Sequence, residues 1–149
     1  TEIKQALHIA SKKGHNAMSS VLLEYGAGIN SRGSCDWTSL ITATSNGHHN
    51  TVNLILEAGA DMDLKDRDGT TALMKATLIH NLGIASELVN CGPDTSITDE
   101  NGFTPLKKVQ NNFNDIALIL DDTEISLQLS WFYLGRVSNK KTKKVGNFP

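Results

Sequence analysis

Apolar residues along this chain recur in short helical stripes, and the stripes themselves repeat. Leu7, Leu40, Leu73 and Leu106 stand 33 residues apart, and Ala10, Ala43, Ala76 and Val109 keep the same interval. Gly26, Gly59 and Gly92 follow it too, as do Gly14 with Gly47 and Gly69 with Gly102. A fixed period of this length marks a stacked-repeat architecture, in which each unit is too small to bury its own apolar face and leans on its neighbours.

Each unit predicts two helices. Thr38, Thr71 and Thr104 each stand one residue before an apolar-periodic run, where a hydroxyl caps a helix, and Pro105 follows Thr104 at the position that helices accept. First helices are therefore predicted over 39–46, 72–79 and 105–112, with an earlier one over 5–13. Ala10, Ala43 and Ala76 are small enough to let such helices approach closely. Gly14-His15 and Gly47-His48 break the chain, and a second helix carries Val21, Leu22 and Leu23 in one unit and Leu54, Ile55 and Leu56 in the next. It ends at a glycine, as helices often do. Between units lie turns such as Asp66-Arg67-Asp68-Gly69 and Asp99-Glu100-Asn101-Gly102, where aspartate opens the turn and glycine supplies the positive φ that closes it.

These residues resemble the ankyrin repeat family. The resemblance is carried by Ala6-Leu7-His8-Ile9-Ala10, Gly14-His15, Glu24-Tyr25-Gly26-Ala27, Glu57-Ala58-Gly59-Ala60-Asp61, Asp68-Gly69-Thr70-Thr71-Ala72-Leu73 and Asn101-Gly102-Phe103-Thr104-Pro105-Leu106. It implies an all-α fold, a solenoid of helix-turn-helix units joined by β-hairpin-like loops. The units fall at about 1–32, 33–65, 66–98 and 99–122. The family pairs a threonine and a histidine to tie loop to helix. Here His8 has Gln5 in the threonine's place, and Ile41, Met74 and Lys107 replace the histidine elsewhere, so that network is incomplete. His80 and Phe113 stand where the inter-helix glycine is usual. The polar fourth unit, with Asp121 and Asp122 in its stripe, reads as the end of the array. The missing hairpin before the first unit, and a start at Thr1, point to further chain upstream.

Residues 123–149 leave the period. Ile125, Leu127, Leu129, Trp131 and Tyr133 alternate as in a strand, while Leu127, Trp131 and Leu134 also fit a helix. Residues 125–134 are expected to pack on the fourth unit. Charge changes at the same boundary. Residues 1–122 hold 15 acids against 9 bases, and 123–149 hold 1 acid against 5 bases. Lys140-Lys141-Thr142-Lys143-Lys144 offers the alternative function, anion binding to a membrane surface or nucleic acid. A solvated tail is the plainer reading.

Composition narrows the remaining chemistry. The two cysteines, Cys35 and Cys91, make no disulfide framework or metal motif, and no N-x-S/T site occurs. An intracellular, cytoplasmic protein is expected, with the Lys-rich tail also pointing to the nucleus. His15 and the adjacent His48-His49 lack companion ligands. The run Asp61, Asp63, Asp66, Asp68 fails as a calcium loop, because Leu64 and Lys75 stand where acids are required. Asp66 with Asp68, and Asp121 with Asp122, read as carboxylates on exposed turns or a helix end, not as a tuned catalytic pair. Neither an enzyme nor a cofactor is expected. Asn30 holds the place that asparaginyl hydroxylases modify in the family, but Gly28 replaces the aspartate that accompanies it.

What remains is binding of another protein, as an adaptor or regulatory module of a larger one. The family's contact surface is a concave face made of loop tips and first helices. By position it comprises Trp37, Arg67, Asp68, Thr70, Glu100 and Phe103 on the loops, Leu78 and Ile79 on a first helix, and Tyr25 with Cys91 at a further contact position. Trp37, Thr70 and Phe103 occupy one register and are expected to form a row beside the acids Asp68 and Glu100. Such an edge suits a partner segment with apolar anchors and some Lys or Arg.

Overall fold

The computed structural model describes residues 2–112, with side chains as far as Lys108. Seven α-helices follow one another: α1 (Glu2–Lys13), α2 (Asn16–Glu24), α3 (Ser39–Ser45), α4 (His49–Glu57), α5 (Ala72–Leu78), α6 (Leu82–Asn90) and α7 (Pro105–Asn112). The predicted first helices are present, three of them shifted by at most a residue at one end and the earliest beginning at Glu2. The second helix expected in the fourth unit, the 125–134 segment and the basic tail all lie outside the described residues.

Local chemistry sets the helix starts. Thr38 and Thr71 accept hydrogen bonds from the amides of Ile41 (3.2 Å) and Met74 (3.4 Å), and Thr104 accepts one from Lys107 (3.3 Å). Asn81 caps α6 in the same way, accepting from the Ile84 amide at 3.0 Å. These bonds satisfy amides that have no partner inside their own helix.

Helices α1, α3, α5 and α7 stack in sequence, α2, α4 and α6 form a second layer, and each pair packs across the two. The residues of the 33-residue pattern fill the interior: Leu7, Leu40, Leu73 and Leu106 are buried, and Ala10, Ala43 and Ala76 leave room for the close packing. Val52, Ile55, Ile84, Ala85 and Leu88 close the core from the second layer. Of the triplet Leu54, Ile55 and Leu56, only Ile55 is fully buried, because a helix turns one face inward and three successive residues cannot share it.

Asp66 and Asp99 do not sit on exposed turns, as the sequence suggests for Asp66, but are buried. Each carboxylate has two tasks. Asp66 Oδ1 accepts from the amides of Asp68 (3.0 Å) and Thr70 (2.8 Å), while Oδ2 lies 2.8 Å from Lys75 Nζ on α5. Asp99 repeats this with the amides of Asn101 and Phe103, both at 2.9 Å, and with Lys108 Nζ at 2.7 Å. One side chain thus folds the loop and fastens it to the helix that follows. Burial by itself would push the Asp99 carboxyl up. The bonds from Lys108, Phe103 and Asn101, with the lysine's charge, outweigh it and hold the group below its ordinary value.

The corresponding positions in loop 33–37 and α3 are Gly33 and Thr42, so the lock is missing there. A Cβ at Gly33 would lie 3.0 Å from His8 Nδ1. The imidazole fills the space, and its Nε2 donates to the Ser31 carbonyl at 3.1 Å, which assigns the proton to that nitrogen. His8 therefore ties helix to loop without the family's threonine. Asp36, at the register of Gly69 and Gly102, adopts a φ of 60°, and Cys35 one of 58°. Asparagine and aspartate tolerate this region better than most residues.

Two stability predictions follow from the loops. Gly69 and Gly102 have φ of 73° and 76°, so both glycines are needed for backbone shape, but only a Cβ at Gly69 would meet the backbone of the next loop, 2.9 Å from the Glu100 amide. Gly102→Val should cost about 1–2 kcal/mol and Gly69→Val more, about 3 kcal/mol, as strain and clash add. Urea unfolding of the two variants checks the order. Lys75→Met should cost about 3 kcal/mol by leaving a buried carboxylate without its counter-charge. Adding Asp66→Asn, which keeps the turn bonds and removes the charge, should recover part of that loss in the same assay.

Candidate functional site

The three described loops are built alike and joined to one another. Each is closed by a main-chain bond: Gly33 N to Trp37 O (2.8 Å), Asp66 N to Thr70 O (3.0 Å) and Asp99 N to Phe103 O (3.0 Å). Adjacent tips are linked by Arg67 N to Cys35 O and Glu100 N to Asp68 O, both at 3.1 Å. At the loop bases Arg32 donates to the Lys65 carbonyl and Lys65 to that of Thr98. Asn30 Oδ1 accepts from the Asp61 amide at 2.8 Å, so its side chain is engaged in holding the next loop. The loops therefore form one continuous edge beside the stacked first helices.

Along this edge the predicted contact residues separate. Arg67, Asp68 and Glu100 are exposed at the tips. Phe103 is 38 % exposed, and Leu78 and Ile79, at the end of α5, are 48 % and 39 % exposed. Thr70 is a correction: it is 4 % exposed, because both its amide and its carbonyl are turned onto Asp66, and it offers no contact surface. The expected row of Trp37, Thr70 and Phe103 is thus interrupted in the middle. Trp37 is half-buried against the core, and Lys75 Nζ lies 5.1 Å from its ring centroid, within cation–π range. Its ring joins loop 33–37 to α5 and remains partly exposed.

Tyr25 and Cys91 are exposed at the C-caps of α2 and α6, at the ends of the second helices and apart from the loop tips. Burial and the nearby Glu87 push the Cys91 thiol up, which lowers its thiolate population and its reactivity. His48 Nε2 bonds the Lys12 carbonyl at 2.9 Å, and His49 Nε2 lies 3.9 Å from the Glu87 carboxylate. Among the described residues no three His, Cys, Asp or Glu side chains converge as metal ligands.

Two features escaped the sequence reading. Leu82 is exposed at the start of α6 and extends the apolar patch of Leu78 and Ile79. The signal was a break in the repeat: the corresponding residues are Lys12, Lys13 and Asn16 in one pair and Ser45, Asn46 and His49 in the next. The second feature is an open cavity of about 390 Å³ between α1, α3 and loop 33–37, lined by His8, Ile9, Lys12, Cys35, Trp37 and Asn46 among others. It depends on the relation of distant segments, which no local pattern reveals.

The His8 contact makes the α1 end pH-sensitive. Burial lowers its pKa from 6.5, with the Ser31 carbonyl opposing and the Lys4 charge adding to the fall. The unfolded chain then takes up the proton first. The stabilising contribution of neutral His8 is complete above 6.5 and is lost as pH falls through the lower folded value. Melting midpoints measured from about pH 7 to about pH 5 should decline. A His8→Gln variant, which keeps a donor to Ser31, should decline less.

A family model described as ankyrin repeats (3 copies) matches residues 2–66 and 40–128. No curated protein matches the chain. Among the described residues no helix is long and apolar enough to cross a membrane. Ankyrin repeats generally serve protein–protein interaction. The family match, the stacked helix pairs and the loops that join them agree: this chain belongs to the ankyrin repeat family.

Proposed function

We propose that this chain is an adaptor or regulatory module that binds a partner protein across its loop tips and first-helix face. The observation that carries this reading is the apolar patch of Leu78, Ile79 and Leu82, standing exposed where the other helix pairs place polar or charged residues. A repeat protein gains no core stability from apolar side chains left in water, and a local patch of them beside a polar edge marks an interaction surface. Phe103 and the partly exposed Trp37 add aromatic surface of the kind that dominates binding energy. Asp68, Glu100 and Arg67 form a charged rim at the tips, and the two acids suit basic residues on the partner. Tyr25 serves as a separate contact on the second-helix side.

The test pairs binding with stability. The chain is immobilised, bound proteins are identified by mass spectrometry, and affinities are then measured for the recovered partner. Leu78→Ala and Phe103→Ala should each weaken it by about 2 kcal/mol, the usual hot-spot scale, with melting midpoints close to the parent. Asp68→Lys should slow association more than it speeds dissociation. Unchanged affinity in both truncations, with the fold intact, would remove this face from the function.

A further inference from the structure

The first-helix face changes character along the stack. On α1, Lys4, His8 and Lys12 stand four residues apart and so share one side of the helix. Lys4 is close enough to His8 for its charge to act on the imidazole. The next helix, α3, presents Ser45 and Asn46 at the corresponding end, and α5 presents Leu78 and Ile79. The face is therefore cationic at α1, neutral at α3 and apolar at α5.

The cationic end is also hollow. Besides the cavity that Lys12 lines, a second of about 440 Å³ opens between Lys4, Arg32 and Gly33, and the two share His8, Ile9 and Ser34. No acidic residue lines either cavity. Among the described residues Lys4, Lys12 and Arg32 have no ion-pair partner, although Arg32 donates to main-chain carbonyls. On the later first helices Lys75 and Lys108 are matched to buried aspartates, while Lys13, Lys65 and Lys107 make no ion pair among the described residues. With Gly33 in the aspartate's place, loop 33–37 lacks the buried carboxylate of the later loops, and among the described residues its own Asp36 makes no side-chain ion pair with these cations.

We infer that this groove receives an acidic stretch of a partner peptide, whose apolar continuation crosses α3 to reach Leu78 and Ile79 on α5. The occupant is a peptide and not a polyphosphate or a membrane, because the tips farther along the face carry Asp68 and Glu100, which repel an anion that extends beyond the groove. Its dimensions follow from the stack. Neighbouring helices pack about 8–10 Å apart, so α1 and α5 are separated by roughly 16–20 Å. An extended chain rising about 3.3 Å per residue covers that in about five or six residues. The partner segment therefore carries acids about five or six residues from its aliphatic or aromatic anchors. This assignment rests on the first-helix face being the binding surface.

The experiment uses the whole chain and synthetic fluorescent peptides, made in both chain directions. One carries Glu-Glu-Asp and, about six residues away, Leu-Leu-Phe, joined by Ser and Gly; a second replaces the three acids with lysines. Fluorescence anisotropy should show the acidic peptide binding at least about tenfold more tightly than the lysine peptide, with the difference shrinking as salt rises. Lys4→Gln with Lys12→Gln should remove about tenfold of that affinity, two partly screened charges, and circular dichroism should show the fold retained. Leu78→Ser with Ile79→Ser should weaken both peptides. If the serine variant weakens binding but the glutamine variant does not, the acidic groove is wrong and the binding face stands. If neither changes binding, or no peptide binds, both fail. Tighter binding to heparin or to phosphatidylserine vesicles than to the acidic peptide, lost in the glutamine variant, would assign the lysines to polyanions and overturn the proposal.

Discussion

A buried carboxylate at the start of a loop organises the better-built part of this protein. Asp66 and Asp99 each gather two amides with one oxygen and a lysine ammonium with the other. Without the amides the loop would have to find its shape from short-range preferences alone. Without the lysine the charge would be stranded in a poorly solvated place, and such groups are costly to bury. The arrangement also joins two scales of structure. It fixes the turn locally and sets the angle at which the turn meets the helix, and the stacking of first helices then places one loop beside the next.

That dependence explains why the array is not uniform. Loop 33–37 has glycine instead of aspartate, and Thr42 instead of lysine. His8 and the Ser31 carbonyl replace the carboxylate lock with a single neutral bond from the preceding helix. Variation between units also gathers cations without an ion-pair partner at the α1 end of the described stack, whereas Lys75 and Lys108 farther along are paired with buried aspartates. Variation that looks like decay of a repeat signature thereby changes the electrostatic character of the surface.

Much of the fold could be read from the chain because its determinants are spaced by the repeat itself. Leu7, Leu40, Leu73 and Leu106 share a register, so one observation made four times identifies the core. The threonine caps were legible for the same reason, since a hydroxyl before an apolar run has few other uses. Asp66 was misjudged because a polar residue in a turn ordinarily faces water, and its lysine lies nine residues on, a spacing with no meaning inside either element. The pair does recur as Asp99 and Lys108, and recurrence was the available clue. Thr70 shares its register with Trp37 and Phe103, but register places a Cα and not the exposure of a side chain. Thr70 is short and lies against its own turn, whereas Phe103 extends beyond it. Leu78 and Ile79 were reached through their position on a first helix, Leu82 on α6 shows only as a departure from the repeat, and the cavity beside α1 depends on how three separate segments meet.

The bonds between adjacent tips run from main chain to main chain: the Arg67 amide to the Cys35 carbonyl, and the Glu100 amide to the Asp68 carbonyl. They specify spacing without specifying side-chain identity, apart from the turn residues that set the backbone. Mutation can therefore exchange Arg67, Asp68 or Glu100 for other exposed side chains with little change in foldability. Recognition and folding draw on different atoms of the same residues, so lineages sharing this scaffold can acquire new partners through changes at the tips while the stack behind them is conserved by selection for stability.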